Sequence, residues 1–241
     1  MVEHRVVISC EHGGNTIPKP YRALFASQAG LLTTHRAFDP GALACARRLA
    51  ARFDAPLFAA TTSRLLVDLN RSPGHPRLFS NITRDLPAAE RRRIVDRYHS
   101  PHRNRVQQAV QTAHDTGATV VHIACHSFTP VLDGRARIMD AGLLYDPRRE
   151  GERLFCAVWK KALQAACPAC RVRRNAPYKG ISDGLPTALR RRFHCRYIGI
   201  ELELNHRSYF EDKAFWRRLC DAVNVSLAAT LKARAGFLES I

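Results

Sequence analysis

The chain has no apolar run long enough to cross a lipid bilayer. Its longest apolar stretches, such as ATVVHIAC at residues 118–125, fall far short of the roughly 20 residues that a spanning helix needs. The start of the chain, MVEHRVVISC, has neither a long apolar region nor a small-residue cleavage site, which predicts that there is no signal peptide. These absences argue against a membrane protein and favour a cytoplasmic one.

Acidic residues are few relative to basic ones. Aspartate and glutamate number 21 against 38 lysines and arginines, which gives a formal net charge of +17. Such a balance is typical of proteins that bind nucleic acids or acidic membranes. Here much of the excess is arginine on predicted helix faces, at residues 47–48, 91–93 and 190–192, with no aromatic residues interleaved. We therefore interpret the charge as a solvated surface and predict no specific nucleic-acid partner.

The sequence also lacks internal repeats, low-complexity tracts and long glycine- or serine-rich linkers. With 241 residues, of which 46% are hydrophobic and 24% charged, the chain can bury a sizeable core. The simplest interpretation is a single domain over residues 1–241. The eight cysteines are predicted to be free thiols, and the CPAC motif at Cys167 and Cys170 is weak evidence for either a zinc or a redox site.

Strand-like apolar runs alternate with amphipathic helical patterns. The predicted strands are residues 5–10, 56–60, 64–69, 119–125, 137–145 and 197–204. The predicted helices are residues 21–27, 41–53, 88–113, 150–166 and 213–235, with Pro101 expected to kink or divide the third. This alternation predicts an α/β fold, a three-layer sandwich with a mixed, largely parallel central sheet. The loops at residues 70–86 and 174–185 are long enough to be functional.

Polar side chains are grouped where predicted strands end. The first strand is followed by EHGGN, the run LLV by DLNR, and VVHIAC by His126. In open α/β sheets, ligands bind beyond the carboxyl ends of the strands, so these groups are candidates for one site. Each also has a structural alternative, because a histidine can be satisfied in the core and aspartate and asparagine are common in turns.

Two glutamates in the last strand, Glu201 and Glu203, alternate with leucines and therefore face the same side. Burying an unpaired carboxylate is costly, so a cation or a metal is expected beside it. Histidines and carboxylates together are ligands of catalytic zinc, which keeps one position open for water. A separate carboxylate can move the proton, and an arginine can bind a substrate carboxylate. The residues therefore predict a mononuclear hydrolytic zinc site.

Short motifs occur in the order found in the N-formylglutamate amidohydrolase family. They are EHGGN, HRAFDPGA, TSRLLVDLNRS, HSFTP, RIMDAGLLYD, NAPYKG and IELELN, and they extend from about residue 8 to residue 207. The chain resembles this family, which is related in fold to zinc carboxypeptidases and aspartoacylase. The resemblance implies a zinc-carboxypeptidase-like (phosphorylase/hydrolase-like) fold with one zinc ion per chain.

The resemblance also implies that His12 and His126 bind the zinc ion. The related carboxypeptidases have a glutamate ligand where this sequence has Asn15, whose amide is a poor zinc ligand. The third ligand is therefore open among Asp39, Asn15 and Glu11. Asp39 directly precedes a predicted helix, which is equally typical of a capping residue.

The predicted catalytic residues are Glu203, as the base, and Arg71. Glu203 is preferred to Glu201 because it lies two residues before Asn205, where the family glutamate falls. The glycines that follow His12 are expected to let backbone and substrate approach the metal.

Further residues are predicted to bind substrate. Arg71 and Asn70 resemble the pair that receives the substrate carboxylate or the developing oxyanion. Arg64 and Arg137 are candidates for the second carboxylate of a dicarboxylic substrate, and Tyr178 lies on a loop that could close the pocket. The predicted substrate-binding set is Asn15, Arg64, Asp68, Asn70, Arg137 and Tyr178. The YHSPH segment at residues 98–102 is expected to have a packing role first and a binding role second.

The resulting prediction is a zinc-dependent amidohydrolase that removes a small N-acyl group, such as formyl, from an acidic amino acid such as glutamate. Its partner would be a small-molecule N-acyl amino acid, and the resemblance implies a role in histidine degradation. Two alternatives stay open. One is a related zinc carboxypeptidase or deacylase with another amide substrate, and the other is a non-enzymatic, basic polyanion-binding protein.

Overall fold

The computed structural model describes residues 3–237 of the chain, with side chains described through residue 233. Its strands are β1 (His4–Cys10), β2 (Leu57–Ala59), β3 (Thr119–Phe128), β4 (Val131–Leu132), β5 (Arg135–Ala136), β6 (Ala141–Leu144), β7 (Val172–Arg174) and β8 (Tyr197–Asn205). Six of them form one sheet in the order β2-β1-β3-β8-β6-β7, and β4 and β5 form a separate hairpin.

The helices alternate with these strands. They are α1 (Ala42–Phe53), α2 (Ala88–Ile94), α3 (Ser100–Asp115), α4 (Glu150–Ala166), α5 (Leu185–Arg192), α6 (Arg207–Glu211) and α7 (Lys213–Phe237). A 3₁₀ helix spans Lys19–Thr33, and a π turn spans Val95–His99 between α2 and α3. None of the helices in the described part of the chain is long and apolar enough to span a membrane.

Strands β2, β1, β3 and β8 run parallel to one another, whereas β6 is antiparallel to β8 and parallel to β7. The carboxyl ends of β1, β3 and β8 therefore meet at the same edge of the sheet. Every residue of β3 is buried, as expected for a central strand covered on both faces. The predicted mixed, largely parallel sheet is confirmed.

Helices cover both faces of the sheet. On one face, α1, α4 and α7 pack against it through residues such as Leu49, Trp159 and Leu227. On the other, a smaller cluster joins α3 and α5 to alternate strand residues, including Val106 and Leu189. The alternation of inward-facing residues along each strand accounts for this three-layer arrangement.

The predicted strand at residues 64–69 is wrong. This segment is a series of turns, in which the backbone N–H of Leu66 donates to Ser63 and that of Arg71 donates to Asp68. Its apolar side chains are buried against the 3₁₀ helix in a cluster of their own, outside the sheet. A short apolar run has no periodicity that separates a strand from another buried segment.

Other elements differ in extent. The predicted strand at 137–145 is regular only at Ala141–Leu144, and β7, α5 and α6 were not predicted because each is short. The predicted helix at 88–113 is divided by the π turn, and Pro101 lies in the first turn of α3, so the expected division is confirmed.

The cysteine prediction needs one correction. Cys167 and Cys170 form a disulfide in the turn between α4 and β7, where a backbone hydrogen bond from Cys170 N to Cys167 O brings the two residues together. The six remaining cysteines are free thiols, as predicted, and all but Cys195 are buried.

A buried histidine network lies at the centre of the sheet. His122 on β3 is hydrogen-bonded through Nε2 to Ser9 Oγ and through Nδ1 to the hydroxyl of Tyr197, both at 2.8 Å. Burial disfavours the charged ring and lowers the pKa of His122 to about 4. The same histidine in the unfolded chain has a pKa of about 6.5. At a pH between these two pKa values, His122 therefore binds a proton in the unfolded chain but not in the folded protein.

This network predicts that His122→Gln changes the pH dependence of stability. At pH 7.5 the variant should be less stable than the parent, because it lacks the paired ring. On acidification to pH 5 the parent should lose on the order of 2 kcal/mol at this site, and the variant should not. Urea unfolding of the metal-free proteins at both pH values measures the difference, with His194→Gln at an exposed position as the control. Equal losses in the parent and His122→Gln would contradict the prediction.

Candidate active site

Two histidines and an aspartate converge at the carboxyl edge of the sheet. His12 follows β1, His126 lies near the end of β3, and Asp39 lies in the loop before α1. One potential ligand atom from each lies within 4.8 Å of the other two, and all three residues are buried. Asp39 Oδ2 is 2.8 Å from His126 Nδ1 and 3.4 Å from His12 Nδ1.

The side chain of Asp39 does not cap the helix that follows it. Gly41 is the residue that precedes α1, and no side chain caps this helix by a hydrogen bond. The backbone N–H of Asp39 donates to the carbonyl of His12, which ties the loop to the end of β1. The carboxylate is thereby turned towards the histidines rather than the helix.

A second carboxylate faces the Nε2 side of each histidine ring. His12 Nε2 is 2.7 Å from Asp68 Oδ1, and the other oxygen of Asp68 accepts a hydrogen bond from Arg64 Nη2 at 2.7 Å. His126 Nε2 is 3.0 Å from Glu11 Oε2, although without the alignment of a hydrogen bond. Each ring therefore presents Nδ1 to Asp39 and Nε2 to another acidic residue.

The charges of this cluster shift the pKa values of its members. Burial opposes ionisation of Asp39, but His12 and His126 outweigh it and hold the pKa of Asp39 below its usual range. Burial likewise opposes protonation of His126, whereas contacts with Asp39 and Glu11 raise the pKa of His126 well above its usual value. The carboxylates and imidazoles of the cluster thus favour each other's charged forms.

Glu203 lies beside this cluster. It is the residue of β8 paired in parallel register with His126, and its side chain is buried. Its Oε2 atom has no hydrogen-bond partner among the described residues. Burial raises the pKa of Glu203 to about 8. The positive charge of protonated His126 opposes this shift, and the negative charges of Asp39 and Glu201 add to it. No described side chain therefore serves as a hydrogen-bond partner for this buried carboxyl oxygen.

Glu201 faces the same side of β8 but has a different environment. Its Oε1 accepts a hydrogen bond from Asn70 Nδ2 at 2.9 Å, and it is less buried than Glu203. The two glutamates therefore differ in their hydrogen bonds. Glu201 accepts one from the amide of Asn70, whereas Oε2 of Glu203 has no partner among the described residues.

The other two candidates for the third ligand, Asn15 and Glu11, do not face both histidines. Asn15 donates its side-chain N–H to the carbonyl of Leu32 at 2.7 Å, which anchors the 3₁₀ helix. Glu11 faces Nε2 of His126, the ring nitrogen that does not face Asp39. Asp39 alone joins both histidines in the cluster of potential ligand atoms found in the described residues.

The glycines after His12 have a packing role that was not predicted. A Cβ atom on Gly13 would lie 3.0 Å from Ala60 O, and one on Gly14 would lie 2.8 Å from Thr61 O. Neither has a positive φ angle. Glycine is needed here because the backbone after β1 approaches the end of β2, which fixes the chain that carries His12.

The DLNR segment and the loop after β7 are joined by hydrogen bonds. Asn70 Oδ1 accepts from the backbone N–H of Leu185, and Arg71 Nη1 donates to the carbonyl of Asp183 at 2.9 Å. The backbone and hydroxyl of Ser72 donate to the carboxylate of Asp183. The loop is therefore held at its end by the segment that was predicted to bind substrate.

Arg137 and Tyr178 form a pair of their own. The guanidinium of Arg137 lies 4.9 Å from the centre of the Tyr178 ring, and Nη1 donates to the tyrosine hydroxyl at 2.9 Å. Tyr178 is 42% exposed, so the pair is open to solvent. Arg64, in contrast, is engaged with Asp68 and lies 3.5 Å from Asp39, inside the acidic cluster.

Residues around YHSPH lie closer to the site than the sequence indicated. His99 Nε2 contacts the backbone carbonyl of Arg71 at 2.8 Å, and Arg103 Nη1 donates to three successive carbonyls of residues 69–71. His102 Nε2 is 3.3 Å from Glu11 Oε1. Two histidines three positions apart, His99 and His102, followed by Arg103, were the signal that could have found them, because residues three apart lie on one side of a helix.

The sequence model of the N-formylglutamate amidohydrolase family matches residues 4–210, which include every residue of this cluster. The chain belongs to this family. The family places it among the amidohydrolases, which hydrolyse amide bonds of small molecules. No curated protein matches the chain significantly.

Solved structures are also similar. A gene product of Agrobacterium tumefaciens is 30% identical over 95% of this chain and 92% of that one, with a TM-score of 0.76. An N-formylglutamate amidohydrolase from Ralstonia eutropha JMP134 is 20% identical, with a TM-score of 0.70 over 98% of this chain and 96% of that one. The second likeness shows that the two chains share a fold.

Proposed function

We propose that this family member is a zinc-dependent amidohydrolase that removes a small N-acyl group, such as formyl, from an acidic amino acid such as glutamate. The observation that carries the proposal is the His12–Asp39–His126 cluster beside a buried glutamate, Glu203, with an unpartnered oxygen. Burying a carboxyl such as that of Glu203 without a partner is costly, and a bound metal with its water would supply the missing partner.

The donor set fits a zinc ion. Two imidazoles and one carboxylate are ligands of catalytic zinc, and the three potential ligand atoms lie within 4.8 Å of one another. His12 and His126 would bind through Nδ1, because those atoms face Asp39. When bound, zinc polarises the scissile carbonyl and makes water more acidic.

Glu203 is the group proposed to move protons. Its Oε2 would accept the proton of the attacking water and then deliver it to the leaving nitrogen of the substrate. Its support is positional, since the side chain lies next to His126 across the β3–β8 pair and burial keeps it from bulk solvent. Glu201 is a weaker candidate because Asn70 already occupies one of its oxygens.

Arginines would select a substrate with carboxylates. Nη1 of Arg71 donates a hydrogen bond to the carbonyl of Asp183, and the other N–H groups of the planar guanidinium would be available to a ligand. Arg137 is partly exposed beside Tyr178 and is proposed to reach a second carboxylate. Arg64 is proposed to stabilise Asp68 and Asp39 rather than to bind substrate, because both carboxylates already lie beside it.

Arg71→Lys tests the substrate class. The substitution keeps the charge but removes the bidentate geometry, so we expect KM for N-formylglutamate to rise about 10- to 100-fold, the equivalent of about 1.5–3 kcal/mol. The diamide and diester forms of the substrate, in which both carboxylates are blocked, should be poor for the parent and lose little more in the variant. Steady-state hydrolysis of both forms by both proteins measures this.

Arg153→Lys is the matched control, since this arginine is on α4 and pairs with Glu150 at the surface. Its kinetic constants should equal those of the parent. Equal rates of the parent on charged and amidated substrates would mean that no carboxylate is recognised, and would leave the related deacylase or carboxypeptidase activities as the better explanation. Salt-sensitive polyanion binding without any chelator-sensitive hydrolysis would instead support the non-enzymatic alternative. A cytoplasmic location and a role in histidine degradation stay predictions.

A further inference from the structure

A buried pair lies behind His126 that neither the metal ligands nor the proposed proton transfer uses. Glu11 is fully buried although it is a carboxylate, and His102 is 2% exposed. Glu11 Oε1 is 3.3 Å from His102 Nε2, and Glu11 Oε2 is 3.0 Å from His126 Nε2. Glu11 thus connects the end of β1 to α3 on one side and to β3 on the other.

The orientation of His126 explains why such a pair is needed. Its Nδ1 faces Asp39 Oδ2 at 2.8 Å, so Nε2 points away from the proposed metal position and towards Glu11. An imidazole that binds metal through one nitrogen is fixed by a carboxylate at the other, which sets both the tautomer and the plane of the ring.

A similar arrangement occurs at His12, where Asp68 takes the place of Glu11 and, unlike Glu11, is aligned for a hydrogen bond to the ring. His12 Nε2 lies 2.7 Å from Asp68, and Asp68 is held by Arg64. Each histidine therefore has a carboxylate behind it and a nitrogen donor behind the carboxylate. The difference is that the donor behind Glu11 is a buried histidine and not a partly exposed arginine.

The helix geometry brings His102 into place. The π turn Val95–His99 ends just before α3, and α3 begins with Ser100 and Pro101. The helical type therefore changes directly ahead of His102, which sets the direction in which α3 presents this residue. Arg103, the next residue, donates to the carbonyls of residues 69–71. These contacts fix the part of α3 that carries His102 against the site.

We propose that Glu11 and His102 are positioning residues that orient His126 for metal binding. Neither would touch substrate. The proposal rests on the proposed metal site and adds to it the reason why a carboxylate is buried next to a histidine ligand and yet does not bind the metal.

Metal affinity is the measurement that tests the proposal. Glu11→Gln keeps the shape and removes the charge, and we expect its dissociation constant for Zn²⁺, from competition with a chromophoric chelator, to rise about 10- to 100-fold. His102 contacts Glu11 and not His126, so the dissociation constant of His102→Gln for Zn²⁺ should rise by a smaller but measurable factor of about tenfold or less. The visible spectrum of the Co²⁺-substituted protein should change in both variants, because the orientation of a ligand ring changes.

His122→Gln is the matched control for these variants. His122 is a fully buried histidine of β3 whose partners are Ser9 and Tyr197, so its loss should lower stability without changing Zn²⁺ affinity or the Co²⁺ spectrum. If Glu11→Gln does not fold, His102→Gln carries the test alone.

The outcomes separate the two proposals. A parent that binds Zn²⁺ and hydrolyses N-formylglutamate, with unchanged affinity and spectrum in folded variants, overturns the positioning role and leaves the proposed function intact. A parent that binds Zn²⁺ without hydrolysis, with weakened binding in the variants, overturns the proposed function and supports the positioning role. A parent with no affinity for Zn²⁺ overturns both.

Discussion

We expect Glu203→Gln to lower the turnover of N-formylglutamate by roughly 100-fold or more while the metal content stays unchanged. Glutamine has nearly the same volume, so the buried space beside His126 stays filled. What is lost is the ability of Oε2 to accept a proton from water and return it to the leaving nitrogen. Measurement of kcat together with zinc content by elemental analysis separates this loss from loss of the site.

Glu201→Gln is the matched control for that experiment. It removes a carboxylate from the same face of the same strand, but its amide oxygen can still accept the hydrogen bond from Asn70. We expect its kcat to fall by less than about tenfold, since general acid–base groups account for larger factors. If instead Glu203→Gln retains its turnover and Glu201→Gln loses it, the two glutamates exchange roles.

We expect replacement of either histidine of the cluster by alanine to remove the metal. The parent should be purified with about one zinc ion per chain, and His12→Ala and His126→Ala should each hold little, because a two-ligand site does not retain zinc against chelators. Activity should fall with the metal content. Elemental analysis of protein prepared without added zinc makes this measurement.

The third ligand is tested in the same way. Asp39→Asn should lose zinc as the histidine variants do, because Asp39 Oδ2 faces both rings. Asn15→Ala is the comparison, since the Asn15 side chain contacts the carbonyl of Leu32, and it should keep its zinc. Full occupancy in the His12→Ala/His126→Ala double variant would show that the metal, if any, lies elsewhere.

The sequence by itself determined the fold class and most of the residues that meet at the site. Alternating strand and helix patterns predict a largely parallel sheet, and the ends of parallel strands lie together at one edge. That rule is enough to bring the residues after β1 and β3 near the end of β8. The alternation of Glu201 and Glu203 with leucines likewise predicts that both face one side.

Only the tertiary structure decided how those residues are used. Whether Asp39 caps a helix or faces two histidines depends on the path of the loop before α1, which is set by a hydrogen bond to His12 and not by local propensity. The different environments of Glu201 and Glu203 likewise depend on Asn70, which is 131 positions away from Glu201.

The contribution of α3 could not be derived from its own sequence either. His102 reaches Glu11 because a π turn and the packing of α3 against the sheet set its direction, and these are long-range effects. The apolar run at residues 64–69 wrongly predicts a strand for the same reason, since burial against the 3₁₀ helix produces the same local pattern as burial in a sheet. Local sequence specifies which residues are buried, and the partners that bury them are set by contacts between distant segments.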